Sequence, residues 1–160
     1  MAINVGDKIP SVNLKHMSKD GLADISTDEI FGGKKVVLFS LPGAFTPTCS
    51  AKHLPGFVQN AGALKAKGVD TIACVSVNDA FVMNAWGKDQ NVGNNVMMLA
   101  DGNAEFSDAV GLSFDGSGFG MGKRAQRYAM VVEDGVVTTL NVEQPGAFEV
   151  SSAEAVLEAV

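Results

Sequence analysis

The sequence predicts an α/β fold, a single domain over residues 1–160 with a central mixed sheet flanked by helices, and three observations predict it. The first is a pair of continuous apolar, β-branched runs, VVLFSL at 36–41 and VDTIACVSV at 69–77. Runs without polar alternation read as strands buried on both faces. The second is that such runs alternate with segments of helical periodicity. The third is size: 160 residues with 46% apolar content suffice for one ordinary core. No repeat, low-complexity tract or Pro/Gly/Ser linker divides the chain.

Taken in order, the strand at 36–41 is followed by helical spacing through Leu54, Phe57, Val58, Ala61 and Leu64, predicting a helix over 50–67 that stops at Gly68. Pro55 lies inside it and is expected to kink it, because proline removes a backbone donor. A second buried strand at 69–77 leads to a helix at 79–88 with Asn78 or Asp79 as its cap. A third strand at 96–100 and a short helix at 103–110 precede the glycine-rich DGSGFGMGK. The runs 128–133 and 136–141, separated by Asp134-Gly135, predict a hairpin with a two-residue turn. Ser151 or Ser152 caps a last helix.

Charge and composition exclude several classes. With 18 acidic against 12 basic side chains the net charge is −6. The chain lacks the Lys/Arg excess needed to track a phosphate backbone, so no nucleic-acid partner is expected. The opening MAINVGDKIP has no basic stretch followed by an apolar one, and no apolar run approaches the ~18 residues that span a bilayer. A soluble, cytoplasmic chain with no membrane partner is expected. Two cysteines and two histidines, His16 and His53, provide neither a disulfide framework nor a spaced zinc set.

One cysteine stands where chemistry rather than packing is done. PGAFTPTCS, residues 42–50, directly follows the first strand and carries Cys49 into the start of a helix. In open α/β sheets that junction is where sites form. An ordinary thiol, with a pKa of ~8.5, is only about 3% thiolate at pH 7, and lowering that pKa by ~2.5 units needs about 3.4 kcal/mol. A helix N-terminus supplies ~0.3–1 kcal/mol, or ~2 when partly buried. A cation must therefore come from elsewhere, and Lys123, Arg124 and Arg127 around the start of the hairpin are the candidates. Thr46, three residues before Cys49, can place a hydroxyl beside the sulfur. Pro42 and Pro47 stiffen the loop and remove two backbone donors.

The pattern PxxxTxxC, here Pro42, Thr46 and Cys49, resembles the active-site signature of the peroxiredoxins. PGAFTPTCSAKHLPGF, VSVNDAFVMNAW and RYAMVVEDG together resemble their type II (class five, atypical) group over nearly the whole chain. The resemblance implies a thioredoxin-like fold and a homodimer. It implies reduction of hydrogen peroxide and organic hydroperoxides by a peroxidatic cysteine, with no metal or organic cofactor. By position it makes Cys49 the peroxidatic residue, has Thr46 and Pro42 shape the pocket, and puts Arg127 of QRYAMVV in the place of the family's active-site arginine. The same residues would also serve a peroxide sensor that relays oxidation to a partner protein. A catalytically silent thioredoxin-like binding module would be marked by loss of Thr46 or Arg127, and both are present.

A sulfenic acid on Cys49 must be reduced before it oxidises further. Type II members with a resolving cysteine near the C-terminus would carry it around 145–152, and QPGAFEVS has none. Related members carry a cysteine in the strand matching VDTIACVSV, which leaves Cys74. It stands about 10 Å down the strand from its end at ~3.3 Å per residue. A disulfide needs Cα atoms within about 7 Å, so the helix carrying Cys49 would have to unwind. Cys74 is read as a buried structural thiol, with a resolving role as the alternative. The implied cycle uses one cysteine, with glutathione, a glutaredoxin or thioredoxin as reductant.

The other features have plainer readings. His53 follows Cys49 by one helical turn, but no Asn or Asp is evident to orient it as a base, so it is read as packing or pocket wall. GSGFGMGK lacks the GK[ST] ending of a phosphate loop and is read as a mobile loop bordering the pocket, with Phe119 as an apolar wall. Phe45 is placed with Pro47 at the pocket, and with Phe81 in the core or at an interface. Trp86 and the Met97-Met98 pair are read as core, and Asp79 as a helix cap rather than a base.

Overall fold

The computed structural model describes residues 2–160. Two strands precede the first predicted one: β1 (Asn13–Ser18) and β2 (Gly21–Ser26) form an antiparallel hairpin. It leads into α1 (Thr27–Phe31), which starts at a capping box made by Ser26 and Glu29. The apolar run VVLFSL then becomes β3 (Lys35–Ser40).

The segment predicted as one helix is three pieces: a π turn (Cys49–His53), α2 (Leu54–Gln59) and α3 (Ala61–Ala66). The expected kink at Pro55 is replaced by this wider turn, in which the Leu54 N–H reaches back five residues to the Cys49 carbonyl. Pro55 thereby falls in the first turn of α2, where its missing N–H costs nothing. The second break is at Asn60, whose side-chain amide donates to the Gly56 carbonyl at 2.8 Å.

The remaining elements are β4 (Thr71–Ser76), α4 (Ala80–Asp89), β5 (Met97–Ala100), α5 (Glu105–Ala109), β6 (Ser113–Asp115), a 3-10 turn (Ser117–Phe119), β7 (Lys123–Ala125), β8 (Tyr128–Glu133), β9 (Val136–Val142) and α6 (Ala153–Ala159). Asp79 caps α4 through the Val82 N–H at 2.8 Å, and Ser152 caps α6. Asp134 and Gly135 both have positive φ, 47° and 79°, as a type I′ hairpin turn requires.

The main sheet runs β2-β1-β5-β4-β3-β8-β9. Its centre, β3-β4-β5, is parallel, and the strands on either side are antiparallel. This is a thioredoxin-like arrangement, a central mixed sheet flanked by helices. Alternation sends Val37, Phe39, Ile72 and Cys74 into one core, and Val36, Leu38, Ala73 and Val75 into the other. Both faces are dry, which explains the unbroken apolar runs. Cys49 lies in the first core with Leu54, Phe57 and the buried Trp86. Met98 packs on this core and Met97 on the other, both only partly buried.

Candidate active site

The loop between β3 and the π turn is tied from several sides. The Thr46 hydroxyl donates to the Gly43 carbonyl at 2.7 Å. The Ala44 N–H donates at 3.0 Å to the side-chain oxygen of Asn78, which also accepts from Ser76 at 2.6 Å. Arg124 Nη1 donates to the Pro42 carbonyl at 3.4 Å. A Cβ on Gly43 would sit 3.1 Å from Arg124 Nη1 and 3.3 Å from side-chain carbons of Met121 and Thr46, so a larger residue there would push on those side chains. At the far end Trp86 Nε1–H donates to the Ser50 hydroxyl at 3.0 Å. This network presents Cys49 at the carboxyl end of β3 with no accessible surface.

Arg127 comes from the other side of β3. The pair Ser40↔Tyr128 ends the β3–β8 ladder, which puts Arg127 just beyond it at the same end of the sheet as Cys49. Its Nη2 donates to Cys49 Sγ at 3.2 Å and its Nη1 to His53 Nδ1 at 2.8 Å. At that separation and an effective dielectric of ~20, the attraction of the guanidinium for a thiolate is about 5 kcal/mol. Burial of the sulfur opposes that attraction.

His53 is wholly buried, and its Nε2 donates to the Ser151 carbonyl at 2.9 Å. Burial first, and the charge of Arg127 second, push its pKa down to about 3. The ring is therefore neutral, with its proton on Nε2 and the Nδ1 lone pair free to accept from Arg127. Sequence reasoning made His53 a packing residue. Packing is indeed present, since its ring lies 5.0 Å from that of Phe39, but its polar atoms orient the arginine. Phe148 completes the surround, with its ring 5.1 Å from that of His53 and 5.8 Å from the guanidinium carbon of Arg127.

Of the three candidate cations, only Arg127 donates to the sulfur. Lys123 extends into solvent and pairs with Asp108 at 3.0 Å, while Arg124 serves the loop backbone. The Thr46 hydroxyl was anticipated beside the sulfur, but its proton is spent on Gly43, leaving the oxygen able to accept. Pro42 is half-buried and Pro47 is exposed. Phe45 is 54% exposed and leans over Trp86, with ring centres 6.4 Å apart. Phe119, anticipated as a pocket wall, is 82% exposed in its glycine-rich loop, which is too short of apolar neighbours to fold it inward. Phe81 is also exposed.

Cys74 sits in β4 opposite Phe39, in the same core as Cys49, and both thiols are free. Burial, and then the neighbouring Cys49, push the Cys74 thiol well above the usual range. A groove of about 750 Å³ at the opposite end of the parallel strands, with Thr71 and Val96 in its lining, includes none of these residues. Sequence reasoning missed Asn78 as a loop anchor, together with Phe148 and the Ser151 carbonyl. Only Asn78 had a signal, as a polar residue directly after the strand end VSV.

Comparison with known proteins gives a consistent picture. The redoxin family profile matches residues 4–157. Peroxiredoxin-2E, chloroplastic, of Arabidopsis thaliana is 50% identical over 163 residues, covering 99% of this chain and 70% of that protein. Peroxiredoxin-2B of the same plant is 47% identical over 159 residues, covering 99% and 98%. The crystal structure of reduced Prx3 from Vibrio vulnificus in complex with H2O2 superposes with a TM-score of 0.95 at 57% identity, covering 98% of each chain.

Proposed function

This chain belongs to the redoxin family as a peroxiredoxin, a thiol peroxidase, and from that premise we propose that Cys49 is its peroxidatic residue. It reduces hydrogen peroxide and organic hydroperoxides by cycling through sulfenic acid. Glutathione with a glutaredoxin, or thioredoxin, restores the thiol. The observation that carries this reading is the Arg127 fork, with one N–H on the sulfur and another fixed on a neutral histidine.

The thiolate is the nucleophile. It attacks one peroxide oxygen, the S–O bond forms as the O–O bond breaks, and the departing oxygen takes a proton and leaves as water or alcohol. Ionisation alone raises the reactive fraction about 30-fold at pH 7, roughly 2 kcal/mol. The rest of the acceleration requires donors aimed at the charge that builds on the oxygens. Arg127 already lies against the attacking sulfur and can follow that charge. The Thr46 oxygen accepts the peroxide O–H, and Pro42 shapes the pocket without adding a competing backbone donor.

The sulfenic acid condenses with an external thiol, giving a mixed disulfide and water, and a second thiol then releases Cys49. The absence of cysteine from 145–152 and the burial of Cys74, held in its neutral form, support an external thiol over a resolving role for Cys74. Exposed Phe45 and Phe81 support a homodimer interface, and a cytoplasmic location would supply these reductants. Peroxide consumption with glutathione and glutaredoxin tests the proposal. Many turnovers, abolished by Cys49→Ser, are the result expected. A single stoichiometric event would indicate a sensor, and no reaction would refute the reading.

A further inference from the structure

Glu143 lies just after β9, nearly buried, and takes no part in the chemistry above. Its Oε2 accepts four hydrogen bonds: from the N–H groups of Glu149, Val150 and Ser151 at 2.8, 2.9 and 2.8 Å, and from the Ser151 hydroxyl at 2.7 Å. Three successive backbone donors on one carboxylate oxygen form a closed nest. Burial would raise this carboxyl, but the Ser151 hydroxyl and the backbone donors outweigh it and hold the group below the usual carboxylate range. The loop so gathered carries two groups of the site. The Ser151 carbonyl accepts from His53 Nε2, and Phe148 stands against Arg127. The Glu143 N–H meanwhile donates to the Arg127 carbonyl at 3.0 Å, extending the hairpin ladder by one bond.

We propose that Glu143 is a positioning residue for the peroxidatic reaction, holding Arg127 by both ends. Its N–H fixes the arginine main chain. Its carboxylate fixes Ser151, which fixes His53, which fixes the guanidinium on the sulfur. The relay is Glu143 to Ser151 to His53 to Arg127 to Cys49, each link a hydrogen bond of 3.2 Å or less. Loss of the carboxylate leaves three adjacent N–H groups competing for water, so the loop opens. The Ser151 carbonyl then leaves His53, and the imidazole no longer holds one orientation.

The inference rests on the peroxidase reading, and a double-mutant cycle separates the two. Single-turnover rates of the reduced protein with hydrogen peroxide are measured for wild type, Glu143→Gln, Arg127→Ala and the double variant. Glu143→Gln is expected to lower the rate by about tenfold or more, as for hydrogen bonds to a charged acceptor. It is expected to cause no further loss once Arg127→Ala has removed the group it positions. A rate within twofold of wild type overturns the inference, and so does the same loss in both backgrounds, since a purely structural role would slow both alike. Wild-type protein that does not react with peroxide overturns the peroxidase reading instead. Should Glu143→Gln not fold, Ser151→Ala replaces it in the cycle. A loss of about threefold, typical of one hydrogen bond, that vanishes with Arg127→Ala supports the relay. No loss, or an additive one, overturns it.

Discussion

Acidification from pH 7.5 to pH 5 should destabilise the reduced protein by about 2 kcal/mol through His53 alone. The buried ring, with its Nδ1 occupied by Arg127, is held down to about 3, whereas an unfolded histidine titrates near ~6.5. The unfolded chain therefore binds the extra proton first, and stability falls as pH drops below ~6.5 until the folded ring also protonates near pH 3. At pH 5 the gap is ~1.5 units, which at 1.36 kcal/mol per unit gives about 2 kcal/mol. Glu143 acts in a lower window. Its folded carboxyl is held below the usual range, so its contribution persists at pH 5 and is lost only as pH falls through that depressed value. Urea unfolding at the two pH values is the assay. With a slope of ~2 kcal/mol/M the midpoint should move down by about 1 M. His53→Gln, which cannot titrate, should show a smaller shift between the same pH values. Equal shifts in wild type and variant would refute the placement of His53 as a buried neutral acceptor.

Two further outcomes follow from the site. Arg127→Ala should lower peroxide reactivity at pH 7 by more than the ~30-fold that complete loss of ionisation would cost an ordinary thiol; a loss within that factor, read by stopped flow, would leave the arginine no role in the transition state. Trp86 is the only tryptophan, and its indole N–H is bonded to Ser50, the residue after the buried Cys49. Glutathione attached to Cys49 must displace the π turn, so emission should shift to the red and return on reduction. An unchanged spectrum would mean that the turn stays folded.

What could be read from the sequence was whatever is local or buried on both sides. β3, β4 and β8 announce themselves because residues on both faces are buried and largely apolar, and β9 because the DG turn before it is explicit. The β1–β2 hairpin does not, because each strand turns only one residue, Leu14 or Ile25, fully into the core. Pro55 misleads for a related reason: helical periodicity survives a π turn, so the wider turn leaves no trace in the apolar spacing. Cys49 is legible from its place behind a buried strand, and Arg127 from the family resemblance. The bonds that orient Arg127 are not. His53 meets Ser151 across 98 residues through a backbone carbonyl, and Glu143 is held mainly by N–H groups, which every residue but proline possesses. Sequence patterns report side chains and their periods, whereas two links of this relay run through the Ser151 main chain.

The central claim, that Cys49 receives the peroxide oxygen while Cys74 stays inert, is tested most directly by trapping. Reduced protein is given one equivalent of hydrogen peroxide in the presence of dimedone, then digested and mapped by mass spectrometry. The sulfenic acid adduct is predicted on the peptide carrying Cys49 and absent from that carrying Cys74. An adduct on Cys74, or consumed peroxide with Cys49 unmodified, would contradict the account.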